Sequence, residues 1–342
     1  MERLKVGVIG FGQMGSRHAR VYSQLPNTEL VAVADLQAER VKAIAKELGV
    51  CRVYTDYREL LALPEVQAVS VCTPDEAHRG PAIHALQAGK HVLLEKPLAT
   101  TIDDAEAILA AVHRAKVKFM VAHLLRFDPR YALVKEAIDR GELGDIIYII
   151  SNRNSPHTEG PRIYKPGTCL ITHVAVHDLD IVNWYMSSTP IRVYAEAADK
   201  LLASKHMLDA VSTVMAFRDG AFASVNFCWA LPDQSTTRLD ARMEVVGTKG
   251  AAYIGVYHEQ GLLMATEDGV KSPDLHHGPT VNGQVRGDLR EEIMAFVTCV
   301  ITNLPSPVSA EEAFQAVQVA QAIRDSLSTK APVKLNPETR ER

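Results

Sequence analysis

The stretch KVGVIGFGQMG, residues 5–15, decides the fold of this chain. It joins a short run rich in valine and isoleucine to three glycines, Gly10, Gly12 and Gly15, in the spacing GxGxxG. Between a strand and a helix, such glycines allow a tight turn, a close backbone approach to a pyrophosphate, and close helix packing, in that order. Alone, the motif also fits an ordinary glycine turn, so the surrounding sequence has to decide.

The first third of the chain alternates short β-branched runs with helical patterns. Near-continuous apolar strands separated by helices indicate a parallel sheet that is covered on both faces. We therefore predict a Rossmann-type dinucleotide-binding domain over residues 1–123. The strand-like runs are KVGVIG (5–10), ELVAVAD (29–35), AVSVCT (68–73), HVLLEK (91–96) and KFMVAH (118–123), and the helical patterns begin near Met14, Gln37, His78 and Ile102.

The pattern changes after about residue 124. Helical segments are followed by closely spaced strand-like runs, and turns such as RDG (218–220) and GTKG (247–250) favour an antiparallel sheet. We predict a second α/β domain over residues 124–330 and a tail over 331–342 that frays over NPETRER. The predicted helices cover 129–140, 174–186, 288–302 and 310–328, the strands lie in 191–197, 209–217, 221–230, 241–248, 250–257 and 261–266, and the long loops are 154–169 and 268–287.

Composition excludes several classes of function. The 342 residues are 47% hydrophobic and 23% charged with a formal charge of −4, so nothing indicates binding to nucleic acid or an anionic membrane. No apolar run approaches the roughly 20 residues of a membrane span. The five cysteines form no CxxC pair that would suggest zinc, and we expect a cytoplasmic protein.

Asp35, at the end of the second strand-like run, bears on cofactor choice. A carboxylate at this place can accept hydrogen bonds from both hydroxyls of the adenosine ribose, whereas it would repel a 2′-phosphate. Leu36 and Gln37 offer no positive charge, although Arg40 follows. NAD is therefore favoured over NADP, unless Asp35 only caps the next helix.

Ligands of open α/β sheets bind beyond the carboxyl ends of the strands, which identifies further candidate cofactor contacts. The motif CTPDEAH, 72–78, follows one such strand end; its His78 is either a cofactor contact or a polar residue of a first helical turn. The candidate cofactor-binding residues are Gly10, Phe11, Gly12, Gln13, Met14, Gly15, Asp35, Cys72, Thr73, Pro74, His78, Glu95 and Lys96.

Glu95, Lys96 and Pro97 follow the next strand-like run. A lysine where a strand leaves the sheet beside a nicotinamide can donate a hydrogen bond to a substrate oxygen or exchange a proton with it. An isolated EKP sequence is equally consistent with a surface lysine ahead of a turn proline.

Taken together and in order, these motifs resemble the Gfo/Idh/MocA family of oxidoreductases. The resemblance implies a Rossmann domain followed by an α/β domain with a largely antiparallel sheet, which carries the substrate site and often the subunit interface. It also implies a sugar or polyol substrate and a homodimer or homotetramer. The motifs are GVIGFGQMGSRHAR, CTPDEAH, GKHVLLEKPLA, RFDP and HDLDIVNW.

Carried over to this chain, the resemblance assigns catalytic roles to Lys96 and His177. In the family the lysine contacts the reacting hydroxyl or carbonyl, and the histidine is the candidate for proton transfer, a task that suits an imidazole. Two departures stand out. His173 occupies a place where many members have an aspartate, and Leu124 and Leu125 replace an Asn-Arg pair of others.

His173 and His177 are four residues apart, so on one helix they share a face. This is also a spacing of zinc ligands, but HVAVH lacks the glutamate of HExxH and no third ligand motif is apparent, so we predict no metal. Simple core packing is a further alternative, above all for His173. The following Asp178 and Asp180 would orient His177 or pair with buried basic groups.

The sequence thus predicts an NAD(H)-dependent dehydrogenase that acts on a secondary alcohol of a sugar, sugar derivative or cyclic polyol. An NAD-binding sensor of the same fold is the alternative, and a hydrolase would require zinc at the two histidines. Candidate substrate contacts, each of which also fits a solvated surface position, are Arg126, Arg153, Tyr164 and Lys165.

Overall fold

The strand that precedes the glycines lies inside a six-stranded, wholly parallel sheet. The strand order is β3-β2-β1-β4-β5-β6: the chain adds strands to one side of β1 and then, from β4 onward, to the other side, as in doubly wound dinucleotide-binding folds. The predicted Rossmann domain is therefore confirmed. The strands are β1 (Leu4–Ile9), β2 (Thr28–Ala34), β3 (Arg52–Tyr54), β4 (Ala68–Val71), β5 (His91–Glu95) and β6 (Phe119–Ala122).

Helices cover both faces of this sheet, as two successive residues of β1 show by contacting helices on opposite faces. A methyl group added to Gly7 would meet Leu60 of one helix, whereas the next residue, Val8, lies against Gly15 of another. Burial on both sides explains why β1, β4 and β5 are almost purely apolar. The helices are α1 (Gln13–Gln24), α2 (Ala38–Glu47), α3 (Tyr57–Leu61), α4 (Arg79–Gln87) and α5 (Ile102–Arg114).

The structure is a computed structural model, and it describes residues 3–50, 52–163, 169–186, 188–234, 239–255, 264–266, 269–271 and 275–335. The chain forms two compact units. Unit 1 is Met1–Phe127 with His276–Phe314, and unit 2 is Asp128–Leu275 with Gln315–Arg342.

The sequence placed residues 276–314 in the second domain, whereas the structure returns them to unit 1. The reason is α9 (Asp288–Thr302), which packs against α1 and against the short 3₁₀ turn Leu124–Phe127. A predicted linear boundary cannot show such a return, because it depends on tertiary contacts rather than on local composition.

Unit 2 contains a seven-stranded sheet with the order β12-β11-β7-β10-β9-β8-β17. All its neighbours pair antiparallel except β7 and β10, which are parallel, so the predicted largely antiparallel sheet is confirmed. The strands are β7 (Ile146–Pro156), β8 (Pro190–Ala198), β9 (Ala210–Phe217), β10 (Phe222–Leu231), β11 (Asp240–Gly247), β12 (Ala251–Gly255) and β17 (Val333–Lys334).

One face of this sheet is buried against helices. In β10 the residues Ala223, Val225, Phe227 and Trp229 are buried and their neighbours are not, which is the alternation of a one-sided sheet. Helix α8, preceded by one π-helical segment (Ile171–Ala175), packs on β7 and β10. The helices of the remaining chain are α6 (Pro129–Asp139), α7 (Glu159–Ile163), α8 (Val176–Tyr185) and α10 (Ala310–Thr329).

Several local expectations need correction. The sequence pattern predicts no strand over 146–156 and a loop over 154–169, yet β7 continues to Pro156 and α7 follows it. The second predicted loop, 268–287, includes one strand that pairs with a strand before it and one short hairpin, and the tail adds β17 to the sheet beside β8. The hairpin strands are β13 (Met264–Thr266), β14 (Gly269–Lys271), β15 (Thr280–Val281) and β16 (Gln284–Val285). The terminal NPETRER segment lies outside the described residues.

Within the described ranges, no helix combines the length and the apolar character that crossing a bilayer would require.

Candidate functional site

The glycine turn leaves room for a ligand at the start of α1. Gly10 has a φ of +83°, and a methyl group there would lie 2.6 Å from the Cys72 carbonyl oxygen. A methyl group on Gly15 would lie 1.8 Å from the Gly10 carbonyl oxygen. At Gly12, the residue that caps α1, it would meet nothing within 4 Å. The first and third glycines therefore serve the protein backbone, and the second faces open space at a helix N-terminus, where a phosphate is favoured.

Asp35 supports the glycine turn directly. Its Oδ2 accepts a hydrogen bond from the backbone N–H of Phe11 at 2.7 Å, and its Oδ1 accepts one from Gln37 at 2.8 Å. The half-buried carboxylate thus organises the turn ahead of α2 as well as the glycine turn. Each carboxylate oxygen keeps a further lone pair, so both can still accept hydrogen bonds from ribose hydroxyls.

His78 connects two strand-end segments. Its ring is 1% exposed; Nδ1 lies 2.7 Å from the Pro97 carbonyl oxygen and Nε2 lies 3.1 Å from that of Thr73. Because the protein engages both ring nitrogens, His78 holds the segments after β4 and β5 together. Any effect of this side chain on a cofactor is therefore exerted through Thr73 and the EKP segment.

Lys96 emerges directly after β5 and is 9% exposed. Gly10, Thr73 and Lys96 follow β1, β4 and β5, which are consecutive in the parallel sheet, so all three stand at its carboxyl edge. This edge is where open α/β sheets bind their ligands. The structure therefore brings the predicted cofactor residues and the EKP lysine of unit 1 to one edge.

A buried polar cluster lies beneath Lys96. His18 Nε2 is 3.0 Å from Glu95 Oε1, and the other oxygen of Glu95 accepts from the Lys96 backbone N–H at 3.2 Å. Ser70 Oγ is 3.1 Å from His18 Nδ1 and 2.8 Å from the Tyr22 hydroxyl. Burial acts to raise the pKa of Glu95, but the hydrogen bond and charge of His18, with nearby cations, hold that pKa below its ordinary value.

A second carboxyl group, Glu292 of α9, is fully buried near Glu95. Neither of its oxygens has a hydrogen-bond partner among the described residues. Burial, followed by the charges of Glu95 and Asp288, raises the pKa of Glu292 well above its ordinary value. Of these two neighbouring carboxyl groups, Glu95 is the one that carries the negative charge.

In unit 2, His173 and His177 lie on one stripe of a buried helix. From Leu170 to Val182 all residues are buried except these two histidines, which are half-buried. His173 belongs to the π-helical segment and His177 to the first turn of α8. Segments of this kind are frequent at functional sites. The stripe presents two half-buried imidazoles on an otherwise buried segment.

Asp178 pairs with a basic group rather than with His177. Arg153 Nε lies 2.5 Å from Asp178 Oδ2, and Ser151 Oγ donates to Oδ1 at 2.6 Å. Burial disfavours the charge of Arg153, but Asp178 and Tyr131 raise its pKa above the ordinary value. Of the two alternatives for Asp178, orientation of His177 or pairing with a buried basic group, the structure supports the second.

The remaining substrate candidates differ in their surroundings. Arg126 is buried and donates to Glu312 at 3.0 Å, while Glu312 also accepts from the Ser309 backbone N–H. Arg153 is 5% exposed in its pair with Asp178. Tyr164 and Lys165 lie outside the described residues.

Sequence reasoning did not identify His18, Ser70, Tyr22 or Glu292. A signal existed for two of them, since His18 and Tyr22 are four residues apart on the face of α1 that carries Ala19. Their partners, Ser70 and Glu95, come from other strands, and only the folded sheet brings them together. Glu292 resembles any other glutamate of an amphipathic helix until its burial is known.

Comparison with known proteins identifies the fold and the family. An oxidoreductase family with an NAD-binding Rossmann fold matches residues 4–123, and the C-terminal alpha/beta domain of the same family matches residues 135–335. An uncharacterised oxidoreductase of Bacillus subtilis (strain 168) is 28% identical over 98% of this chain and 97% of its own length.

Two further relatives carry descriptions of their substrates. The myo-inositol 2-dehydrogenase of Thermotoga maritima is 26% identical over 97% of this chain and 98% of its own. A crystal structure of scyllo-inositol dehydrogenase from Lactobacillus casei, with bound NAD(H) and scyllo-inositol, superposes with a TM-score of 0.84 at 24% identity, covering 97% of this chain and 99% of the other. This last likeness establishes the fold.

The two matched domains follow one another and together span most of the sequence, from residue 4 to residue 335. The chain therefore belongs to the Gfo/Idh/MocA family of oxidoreductases, with its NAD-binding Rossmann domain first and its alpha/beta domain second.

Proposed function

We propose that this protein transfers a hydride between nicotinamide and a secondary alcohol or ketone of a sugar, sugar derivative or cyclic polyol. The observation that carries the proposal is that the glycine turn and Lys96 lie at the same edge of the parallel sheet, where its strands end. The open space at Gly12 suits a pyrophosphate, and the EKP lysine stands two strands away, where a nicotinamide and its reaction partner would lie. Relatives named as inositol dehydrogenases support the substrate class.

The chemistry requires two kinds of group. Oxidation of a secondary alcohol breaks its C–H and O–H bonds: the hydride goes to nicotinamide C4, the proton leaves the oxygen, and a ketone forms. NAD supplies the hydride acceptor when bound at the glycine turn. Lys96 polarises the reacting oxygen by donating a hydrogen bond, and His177 exchanges the proton. In the reverse direction the same two groups donate to the ketone oxygen.

His173 is a second candidate for contact with the substrate. It shares the half-buried stripe with His177, while the residues around both are buried. An imidazole can donate a hydrogen bond to a sugar hydroxyl or accept one from it, whereas the carboxylate found in other members would only accept. A His173→Asp variant therefore tests whether the position sets substrate preference without removing proton transfer.

NAD is the preferred cofactor in this proposal. Asp35 stands at the end of β2 with acceptor capacity on both oxygens, and a 2′-phosphate there would face a like charge. The next residue, Leu36, is 91% exposed and brings no cation. Kd values for NAD and NADP, measured in parallel, test this preference.

A homo-oligomer is the proposed assembly. The outer face of the unit 2 sheet carries a straight cross-strand row, Tyr253, Glu244, Ile150, Ser224, Val214 and Tyr194. Tyr253 is 73% and Val214 46% exposed. A row of mostly aromatic and aliphatic groups, with one carboxylate at Glu244, suits a second copy of the same face. Light scattering that gives a monomer mass at micromolar concentration would contradict it, and Val214→Lys should dissociate the oligomer.

The decisive experiment follows NADH absorbance with a panel of inositols, aldoses and nucleotide sugars. On a substrate that the panel identifies, Lys96→Met and His177→Asn should each lower kcat by about 100-fold or more, with the Kd for NAD nearly unchanged. Stoichiometric NAD binding without turnover on any substrate would instead favour the NAD-binding sensor. Turnover that survives Lys96→Met would refute the assigned role of the lysine.

A further inference from the structure

Helix α1 connects the glycine turn to the EKP lysine through a buried side chain. The helix begins at Gln13, directly after its cap residue Gly12, and His18 in its second turn is fully buried. Its Nε2 lies 3.0 Å from Glu95 Oε1, and Glu95 Oε2 accepts the backbone N–H of Lys96 at 3.2 Å. Because a carboxylate only accepts, His18 Nε2 carries the hydrogen of this bond. A continuous hydrogen-bonded path therefore leads from the cofactor helix to the peptide of Lys96.

The burial of these groups makes the path stiff. The side chains of His18 and Glu95 are 0% and 6% exposed, so water does not compete for the bond between them. A buried hydrogen bond that involves a charged acceptor is stronger than a neutral one, and breaking it leaves an uncompensated polar group. Glu95 thus has one well-defined position, set by a residue of α1.

The far side of Lys96 is held as well. His78 Nδ1 lies 2.7 Å from the carbonyl oxygen of Pro97, the residue that follows the lysine. Buried side chains therefore hold the peptide group before Lys96, from α1 through Glu95, and the peptide group after Pro97, from the start of α4.

We propose that His18 is a positioning residue for Lys96: through Glu95 it ties the lysine to the helix whose N-terminus forms the cofactor site. The role given to Lys96 itself rests on the proposed function. His18 touches neither cofactor nor substrate in this scheme. Its effect on rate comes from alignment, since a displacement of about 1 Å at a reacting group costs on the order of 100-fold in rate.

Two nearly isosteric replacements separate positioning from packing. In His18→Gln the amide nitrogen falls close to the place of Nε2, so the donor to Glu95 is kept. In His18→Asn the amide reaches only the place of Nδ1, so the contact with Ser70 is kept and the donor to Glu95 is lost. Both variants are polar and smaller than histidine, and a purely structural role would affect them alike.

The first readout is amide hydrogen exchange of Lys96, which needs no substrate. Exchange should be about tenfold faster in His18→Asn than in wild type, because the acceptor of this N–H is no longer fixed, and near wild type in His18→Gln. The second readout is kcat on the best panel substrate, expected to fall roughly 10- to 100-fold in His18→Asn and at most about threefold in His18→Gln. The Kd for NAD should change little in either variant.

Further variants keep the test decisive if His18→Asn folds poorly. Glu95→Gln retains the shape of the side chain, but its single carbonyl oxygen cannot accept from both His18 Nε2 and the Lys96 backbone N–H. We therefore expect faster amide hydrogen exchange at Lys96. Tyr22→Phe removes only the hydroxyl that contacts Ser70, so the amide of Lys96 should stay protected. Equal exchange and equal kcat in His18→Asn and His18→Gln would overturn the proposal.

The outcome can be separated from a failure of the proposed function. If Lys96→Met keeps full turnover, the catalytic role of the lysine is wrong, while the exchange data still judge the path through His18. If Lys96→Met is inactive and the two His18 variants are indistinguishable, only the positioning role is wrong.

Discussion

Arg153 and Asp178 form a buried ion pair in which Arg153 Nε lies 2.5 Å from Asp178 Oδ2. Their side chains are 6% and 1% exposed, and Ser151 supplies a further hydrogen bond to the carboxylate. The pair joins β7 to α8, directly beside His177 in sequence. Asp178 therefore fixes the helix that presents the histidine, and this role leads to a prediction about stability.

Asp178→Asn should destabilise the protein by about 3–5 kcal/mol, because it leaves the guanidinium of Arg153 buried without its counter-charge. The double variant Arg153→Met/Asp178→Leu should recover much of that loss. Urea unfolding at pH 7 measures both. Glu142→Gln breaks an exposed pair with Arg140 and serves as a control, with an expected change under about 1 kcal/mol. An unchanged unfolding free energy in Asp178→Asn, with a raised KM, would show that Arg153 serves the substrate instead.

The glycine turn offers a matched pair of variants. Gly15→Ala places a methyl group 1.8 Å from a carbonyl oxygen, so we expect a loss of about 1–3 kcal/mol or more in stability. Gly12→Ala meets no protein atom, and its φ of −71° suits any residue, so its stability should stay close to wild type. NAD affinity should nevertheless fall at least about tenfold in Gly12→Ala, because the methyl group occupies the space left for the pyrophosphate. Thermal unfolding and calorimetric NAD titration give the two quantities, and normal NAD binding by Gly12→Ala would contradict the assignment.

Asp35 is expected to serve both loop support and cofactor choice. Asp35→Ala removes the acceptor for two backbone N–H groups and the charge that faces the ribose, so the Kd for NAD should rise about tenfold or more. The Kd for NADP should rise less, because repulsion of its phosphate disappears at the same time. Asp56→Asn, which changes another carboxylate that accepts a backbone N–H, is the control and should leave the ratio unchanged. Equal losses for both cofactors would mean that Asp35 only supports the turn.

The sequence predicted the parallel sheet of unit 1 well because the signals for its strands are local. Each strand of the parallel sheet is buried on both faces and is therefore a short apolar run, and the glycines mark the turn that follows β1. Strand β7 was missed for a physical reason. Its second half, SNRNSP, points Ser151 and Arg153 inward, where Asp178 of a later helix makes a polar interior possible. A search for alternating apolar residues cannot identify a strand whose inward-facing side chains are polar and bond to a charged residue.

The candidate site shows the same limit. Lys96 and His177 stand in recognisable motifs. The partner of Glu95, in contrast, is His18 of a helix far away in the sequence, and His18 in turn contacts Ser70 of another strand. Burial of a titratable side chain is a property of packing, so neither Glu292 nor His18 could be distinguished from surface residues beforehand. The raised pKa of Glu292 and the hydrogen bonds of His18 follow only from the assembled layers of unit 1.

Glu292 gives a pH-dependent prediction. Burial, with Glu95 and Asp288, raises its pKa well above the ordinary value in the folded state, so the native protein holds this proton more tightly than the unfolded chain. Stability from the bound proton is fully present below the unfolded pKa, about 4.5, and is lost as pH rises toward the folded pKa.

Glu292→Gln cannot titrate and mimics the protonated form. The unfolding free energy of the variant minus that of wild type should therefore increase by up to about 1.4 kcal/mol per pH unit above pH 4.5. This difference should become constant above the folded-state pKa of Glu292. Urea unfolding from pH 4 to pH 9 measures the difference. Glu291→Gln, on the exposed side of the same helix, should show no such slope. A difference that stays constant with pH would show that Glu292 is not held in its protonated form, and Glu95 would then share its buried compartment with a second negative charge.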